Sequence, residues 1–86
     1  MPGGPDGGAV TVRYWAAARA AAGVDSDVVT GCDTVGEVLA AATTLRPELA
    51  PVAAVSSVLL DGRTASRDAA VPEGAVVEVL PPFAGG

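Results

Sequence analysis

The sequence predicts a small α+β domain, one sheet with one main helix packed across one face. Three observations predict it. Ala9–Trp15 alternates apolar and polar residues, the period of a half-buried strand. Val35, Val38, Leu39, Ala42 and Leu45 recur at helical spacing behind a Thr34–Glu37 capping box. Asp61-Gly62 is a strong hairpin signal and lies between two further extended runs. A single sheet with a helix on one side is the simplest layered arrangement for such elements.

Taken in order, residues 1–8 hold four glycines and two prolines and can bury nothing, so they read as a disordered leader. Residues 9–80 read as the folded domain and 81–86 as an extended tail. In the first strand Val10, Val12 and Tyr14 share one face, and Thr11, Arg13 and Trp15 the other. Ala16–Ala22, alanine broken only by Arg19 and closed by Gly23, is a short helix. Asp25–Thr30 is a weak strand, and Gly31-Cys32-Asp33 a turn. Thr34 is expected to accept from the Glu37 N–H, with Glu37 reaching back to Thr34. That helix should end near Arg46, because Pro47 disfavours a helical residue before it. Glu48–Ala54 is expected to form a further short turn, with Pro51 opposing anything longer. Val55–Leu60 and Arg63–Ser66 read as hairpin strands around Asp61-Gly62. Asp68–Gly74 is a connection, and Ala75–Leu80 the last strand.

Composition narrows the chemistry. The chain has 86 residues, enough for one domain. Half are hydrophobic, but these are mostly Ala and Val, with only Tyr14, Trp15 and Phe83 aromatic, so the core is light. The net charge of −5 argues against nucleic acid, which needs a basic footprint. The longest apolar stretch, Ala50–Leu60, is too short for a membrane helix and contains Pro51. The leader lacks the basic and apolar regions of a signal peptide, and one cysteine forms no internal disulfide, so the expected location is cytoplasmic. There is no His, which removes the ordinary triad, the imidazole base and a plausible zinc site. There is no Lys, which removes Schiff-base chemistry and self-linkage through a lysine. Cys32, beside Asp33, reads as a bystander. Arg13, Arg19, Arg63 and Arg67 read as solvated surface.

The tail carries the functional signal. Pro81 and Pro82 stiffen the exit from the last strand along a polyproline-like path. Phe83 and Ala84 follow, then Gly85 and Gly86, which bear no side chains. Such an end is thin enough for a narrow tunnel in a partner, and its terminal carboxylate carbon is unhindered.

Val12-Arg13-Tyr14-Trp15-Ala16-Ala17-Ala18-Arg19 and Leu80-Pro81-Pro82-Phe83-Ala84-Gly85-Gly86, with the turns Asp61-Gly62 and Pro72-Glu73-Gly74, resemble the molybdopterin synthase small-subunit (MoaD) family of ubiquitin-like sulfur carriers. The resemblance covers residues 9–86, and residues 1–8 have no counterpart in it. It implies a β-grasp (ubiquitin-like) fold with a mixed sheet and a flexible Gly-Gly tail. It also implies that an E1-like adenylyltransferase, using ATP and magnesium, adenylates the Gly86 carboxylate. Sulfur from a persulfide protein then displaces AMP and leaves a thiocarboxylate. The tail enters the large synthase subunit, in an assembly of two small and two large subunits, and donates sulfur to cyclic pyranopterin monophosphate to form the dithiolene. No tightly bound cofactor is implied, and base, nucleophile and anion stabilisers are expected from the partners.

In a β-grasp sheet the first and last strands are parallel central neighbours. Trp15 and Leu80 then stand outside the core at the root of the tail, and with Pro81, Pro82, Phe83 and Ala84 they form the expected partner anchor. The tail is expected to be disordered without a partner, since ordering each residue costs about 1–2 kcal/mol. The alternatives are a carrier for thiamine, cysteine or thiosugar biosynthesis, a ubiquitin-like modifier, and a binding module whose tail is incidental. An autonomous enzyme fits least.

Overall fold

The computed structural model describes residues 8–82. Nine elements follow in order: β1 (Val10–Tyr14), α1 (Ala16–Ala22), β2 (Ser26–Val29), α2 (Val35–Leu45), a 3-10 turn (Pro47–Leu49), α3 (Ala50–Ala54), β3 (Ser57–Leu60), β4 (Arg63–Thr64) and β5 (Val76–Leu80). The five strands form one mixed sheet in the order β2-β1-β5-β3-β4. β1 and β5 are parallel, as expected, and the other neighbours are antiparallel. Parallel pairing sets the starts of β1 and β5 together at one end of the sheet and their exits together at the other. At the starting end, the Gly74 N–H donates to the Ala9 carbonyl at 2.8 Å.

Alternation decides which face of the sheet is covered. Val10, Val12 and Tyr14 of β1 and Val77 and Val79 of β5 are buried under the helices, as the spacing predicts. Val35, Val38, Leu39 and Ala42 of α2 close the core from above. Leu45, expected on the same face, is 51% exposed. It is the last residue of α2, and the fully buried Leu49 of the following 3-10 turn occupies the core instead.

Several local expectations need correction. Thr34 Oγ1 accepts from the Glu37 N–H at 3.2 Å, so the cap is present. Its reciprocal arm shifts by one residue, because Glu37 Oε1 accepts from the Asp33 N–H at 2.6 Å. Residues 47–54 are helical rather than a single turn. Pro51 sits in the first turn of α3, where its missing N–H has no helical partner to lose. β3 begins at Ser57, not Val55, and β4 ends at Thr64, not Ser66. The Asp61-Gly62 hairpin forms as expected. Both residues take positive φ, 49° and 87°, the pair that a type I′ turn demands. The expectations of disorder for 1–8 and 81–86 fall outside the described residues except at Gly8, Pro81 and Pro82. Among the described residues no helix is long and apolar enough to cross a membrane.

Candidate functional site

The candidate site is the root of the tail, on the sheet face that no helix among the described residues covers. Its backbone is set by the central pair. The parallel register matches Thr11 with Val76, Arg13 with Glu78 and Tyr14 with Val79. Continued by one residue, it places Trp15 beside Leu80. The Trp15 N–H donates to the Val79 carbonyl at 3.2 Å, so the ladder does continue. On the other side of β5, Glu78 faces Leu59 and Leu80 faces Ser57 in β3. Arg13, Trp15, Glu78, Leu80 and Leu59 therefore share the open face.

Trp15 is the large apolar residue of this face, and it is 39% exposed. Three constraints act on it. Its indole Nε1–H donates to Glu78 Oε2 at 3.0 Å. The Arg13 guanidinium carbon lies 5.0 Å from the ring centroid, within cation–π range. The next residue, Ala16, turns the chain from β1 into α1 with φ at 49°, a left-handed conformation that costs a residue with a Cβ about 1 kcal/mol. That turn directs α1 to the covered face and leaves Trp15, still extended at φ −120° and ψ 149°, on the open one.

Behind the site, a polar hub fixes the exit of β1. The register pairs Asp27 with Val12, which puts its side chain on the helix side of the sheet. The Tyr14 hydroxyl donates to Asp27 Oδ2 at 2.7 Å. Arg46, at the end of α2, donates to the same carboxylate through Nε at 3.0 Å and through its terminal nitrogen at 2.6 Å. The Arg46 hydrogen bond holds the Asp27 carboxyl below the usual carboxylate range, outweighing burial. Burial pushes the Tyr14 hydroxyl well above its ordinary value, and the Asp27 hydrogen bond adds to the rise. The hub was absent from the sequence reading. Its signal was the inward parity of Asp27, a carboxylate two residues before the buried Val29.

The remaining candidates divide clearly. Leu80 and Pro81 are half-buried and Pro82 is exposed, at the tail root where the sequence placed them. Phe83, Ala84, Gly85 and Gly86 lie outside the described residues. Cys32 is 7% exposed; burial raises its thiol pKa, and the charges of Glu37 and Asp33 raise it further. Arg67 is not simply solvated, because it donates to the carbonyls of Ala53 at 2.9 Å and Ser56 at 3.4 Å, at the C-terminal end of α3. A groove of about 310 Å³ lies between α2 and α3 over Gly36, Leu39 and Ala53. Its only ionisable residue is that same Arg67, so it brings together no acid–base pair. Among the described residues no cluster of His, Cys, Asp and Glu could hold a metal ion. What the described part of the tail root offers is a half-exposed indole beside Leu80 and Pro81, with Arg13 and Glu78 as its charged neighbours.

Comparison with known proteins gives a consistent picture. Residues 12–86 match the model of the ThiS family. The crystal structure of SAMP1 from Haloferax volcanii superposes with a TM-score of 0.81 at 27% identity, covering 92% of this chain and all of that one. The solution structure of small archaeal modifier protein 1 from Methanosarcina acetivorans gives 0.82 at 22% identity, covering 93% and 98%. A protein–protein complex of subunits 1 and 2 of the molybdopterin-converting factor from Helicobacter pylori contains a chain that gives 0.67 at 19% identity, covering 91% and 99%. No curated protein matches. With a β-grasp sheet, a helix packed across it and a family match that takes in both β1 from Val12 onward and the Gly-Gly end, the chain belongs to the ThiS family.

Proposed function

We propose that this chain is a sulfur carrier acting as the small subunit of a molybdopterin synthase, with the Gly86 carboxylate as its reacting group. The observation that carries the reading is the reach of the family match, which runs through Pro81-Pro82 to Gly85-Gly86. The chain's own chemistry supports it. No His or Lys is present, and the single thiol is buried, so the protein offers a terminus to be activated and almost nothing to activate it. An E1-like partner with ATP and magnesium converts the carboxylate to an acyl adenylate and releases pyrophosphate. The outer sulfur of a persulfide protein displaces AMP to give an acyl disulfide. A thiol of that partner then attacks the donor-side sulfur, forming a disulfide and releasing the thiocarboxylate, and this is delivered to cyclic pyranopterin monophosphate inside the large subunit. Trp15, Leu80, Pro81, Pro82, Phe83 and Ala84 are the docking residues, and Gly85 leaves the tunnel clear. The Pro81-Pro82 lead favours the molybdopterin branch over the thiamine, cysteine and thiosugar carriers. Two small and two large subunits, assembled in the cytoplasm, complete the reading.

The test is intact mass of protein from its native host, followed by tryptic mapping. The expected result is one oxygen-for-sulfur exchange on Gly86. Oxidation of Met1, Trp15 or Cys32 adds almost the same mass, but cleavage after Arg67 isolates Asp68–Gly86, which contains none of them. An unmodified terminus after incubation with an activating enzyme, ATP and a sulfur donor overturns the reading. A second reading, a ubiquitin-like modifier, draws on the likeness to Haloferax SAMP1. It requires Gly86 in isopeptide bonds to many proteins, seen as a ladder on a denaturing gel.

A further inference from the structure

We propose that Arg13 and Glu78 are positioning residues that hold the Trp15 indole in one orientation before any partner arrives. Trp15 is thereby the pre-ordered anchor by which the large synthase subunit grips the root of the tail. The anchor role rests on the carrier reading above; the clamp itself is a property of the free chain.

An indole on an open sheet face normally samples several rotamers, and binding must freeze them. Here the freezing is done inside the monomer. Glu78 takes the Nε1–H at 3.0 Å, which fixes the direction of the ring edge. Arg13 lies over the ring at 5.0 Å and restrains the tilt of its face. The Trp15 backbone is tied to Val79 at 3.2 Å and followed by the left-handed Ala16, which fixes where the side chain leaves the chain. Arg13 and Glu78 are register partners in β1 and β5, so the clamp straddles the strand pair from which the tail departs. A ring held this way transmits the direction of the tail to whatever grips it. Its indole donor is already satisfied, so a partner pocket needs apolar contact for the exposed ring and no acceptor for Nε1.

The scale follows from the ordering cost of one rotamer-rich side chain, which corresponds to roughly 3- to 10-fold in affinity. Trp15 is the only tryptophan, so time-resolved fluorescence anisotropy reads it alone in the full chain. Wild type and Glu78→Gln, which keeps a side-chain oxygen to accept the Nε1–H, are expected to tumble with the whole protein. Glu78→Ala and Arg13→Ala are expected to show a fast local component at unchanged circular dichroism. Titrated against the large subunit from the same genome, Glu78→Ala should bind roughly 3- to 10-fold more weakly, and Glu78→Gln within about twofold of wild type. The clamp is overturned if Glu78→Ala leaves the indole as ordered as before. The anchor role is overturned if the indole is freed and affinity does not change. It is also overturned if Glu78→Gln loses as much affinity as Glu78→Ala while its indole stays ordered, since charge rather than orientation would then be at work. A wild-type chain that does not bind the large subunit overturns the carrier reading and the anchor role with it; the anisotropy still decides the clamp.

Discussion

Replacing Asp27 with alanine tests whether the polar hub holds the tail root in place. The Asp27 side chain is 10% exposed and accepts three hydrogen bonds, one from Tyr14 and two from Arg46. The two partners lose unequally. Arg46 keeps 35% of its side chain in water, which replaces the lost carboxylate, so that side of the hub adds little to the cost. Tyr14 is buried, and its hydroxyl would be left without an acceptor, at a cost of about 1–3 kcal/mol. The void left by the carboxylate adds to this, so about 2–3 kcal/mol is expected overall. That is a large share of the total for so small a domain. Tyr14→Phe removes the donor instead and leaves Asp27 its arginine, so about 1 kcal/mol is expected. In the Asp27→Ala background, Tyr14→Phe should recover stability, because it removes the stranded hydroxyl. Urea unfolding followed by circular dichroism at neutral pH measures all four proteins. A cost below about 0.5 kcal/mol for Asp27→Ala, or a double variant weaker than the single one by the full Tyr14→Phe cost, would refute the account. The pH dependence gives an independent check. The folded carboxyl titrates below its unfolded value of about 3.9, so the unfolded chain binds the proton first as pH falls. The contribution is therefore complete above that value and disappears as pH drops through the folded pKa. Wild type should lose its advantage over Asp27→Asn in that acid window and nowhere higher.

Two further outcomes are expected. Ala16→Gly should be neutral or stabilising by up to about 1 kcal/mol, although glycine in a helix normally costs that much, because φ at 49° is free for glycine; Ala16→Val should destabilise, and thermal unfolding of both separates backbone strain from helix propensity. Thr34→Ala should lower stability by about 1 kcal/mol through loss of the α2 cap, read by the urea midpoint at constant slope.

Legibility varied with how local the cause was. The cap at Thr34, the turn at Asp61-Gly62 and the covered faces of β1 and β5 depend on neighbours a few residues apart, and all were readable. The place of Trp15 outside the core followed from counting parity along one strand. Leu45 misled because periodicity does not say where a helix overruns its sheet. The role of Arg67 was hidden because it reaches carbonyls 11 and 14 residues away, and nothing in a surface arginine announces its acceptor. Asp27 was hidden in the same way, since its partners come from β1 and the end of α2. Glu78 is one polar residue in an alternating strand, and only the β1–β5 register shows that it faces Arg13 and meets the indole.

The opposed ends of the central strand pair have a practical consequence. Gly74 meets Ala9 at one end, while Leu80 leads into the prolines at the other. A purification tag, a fluorescent protein or a surface tether joined ahead of Gly8 therefore hangs from the far end of the sheet. The Pro81 end then points outward, away from the attachment. Immobilised in this orientation on a sensor chip, the protein presents the proposed docking residues to solution. The same attachment made after Gly86 would consume the carboxylate on which the proposed chemistry depends.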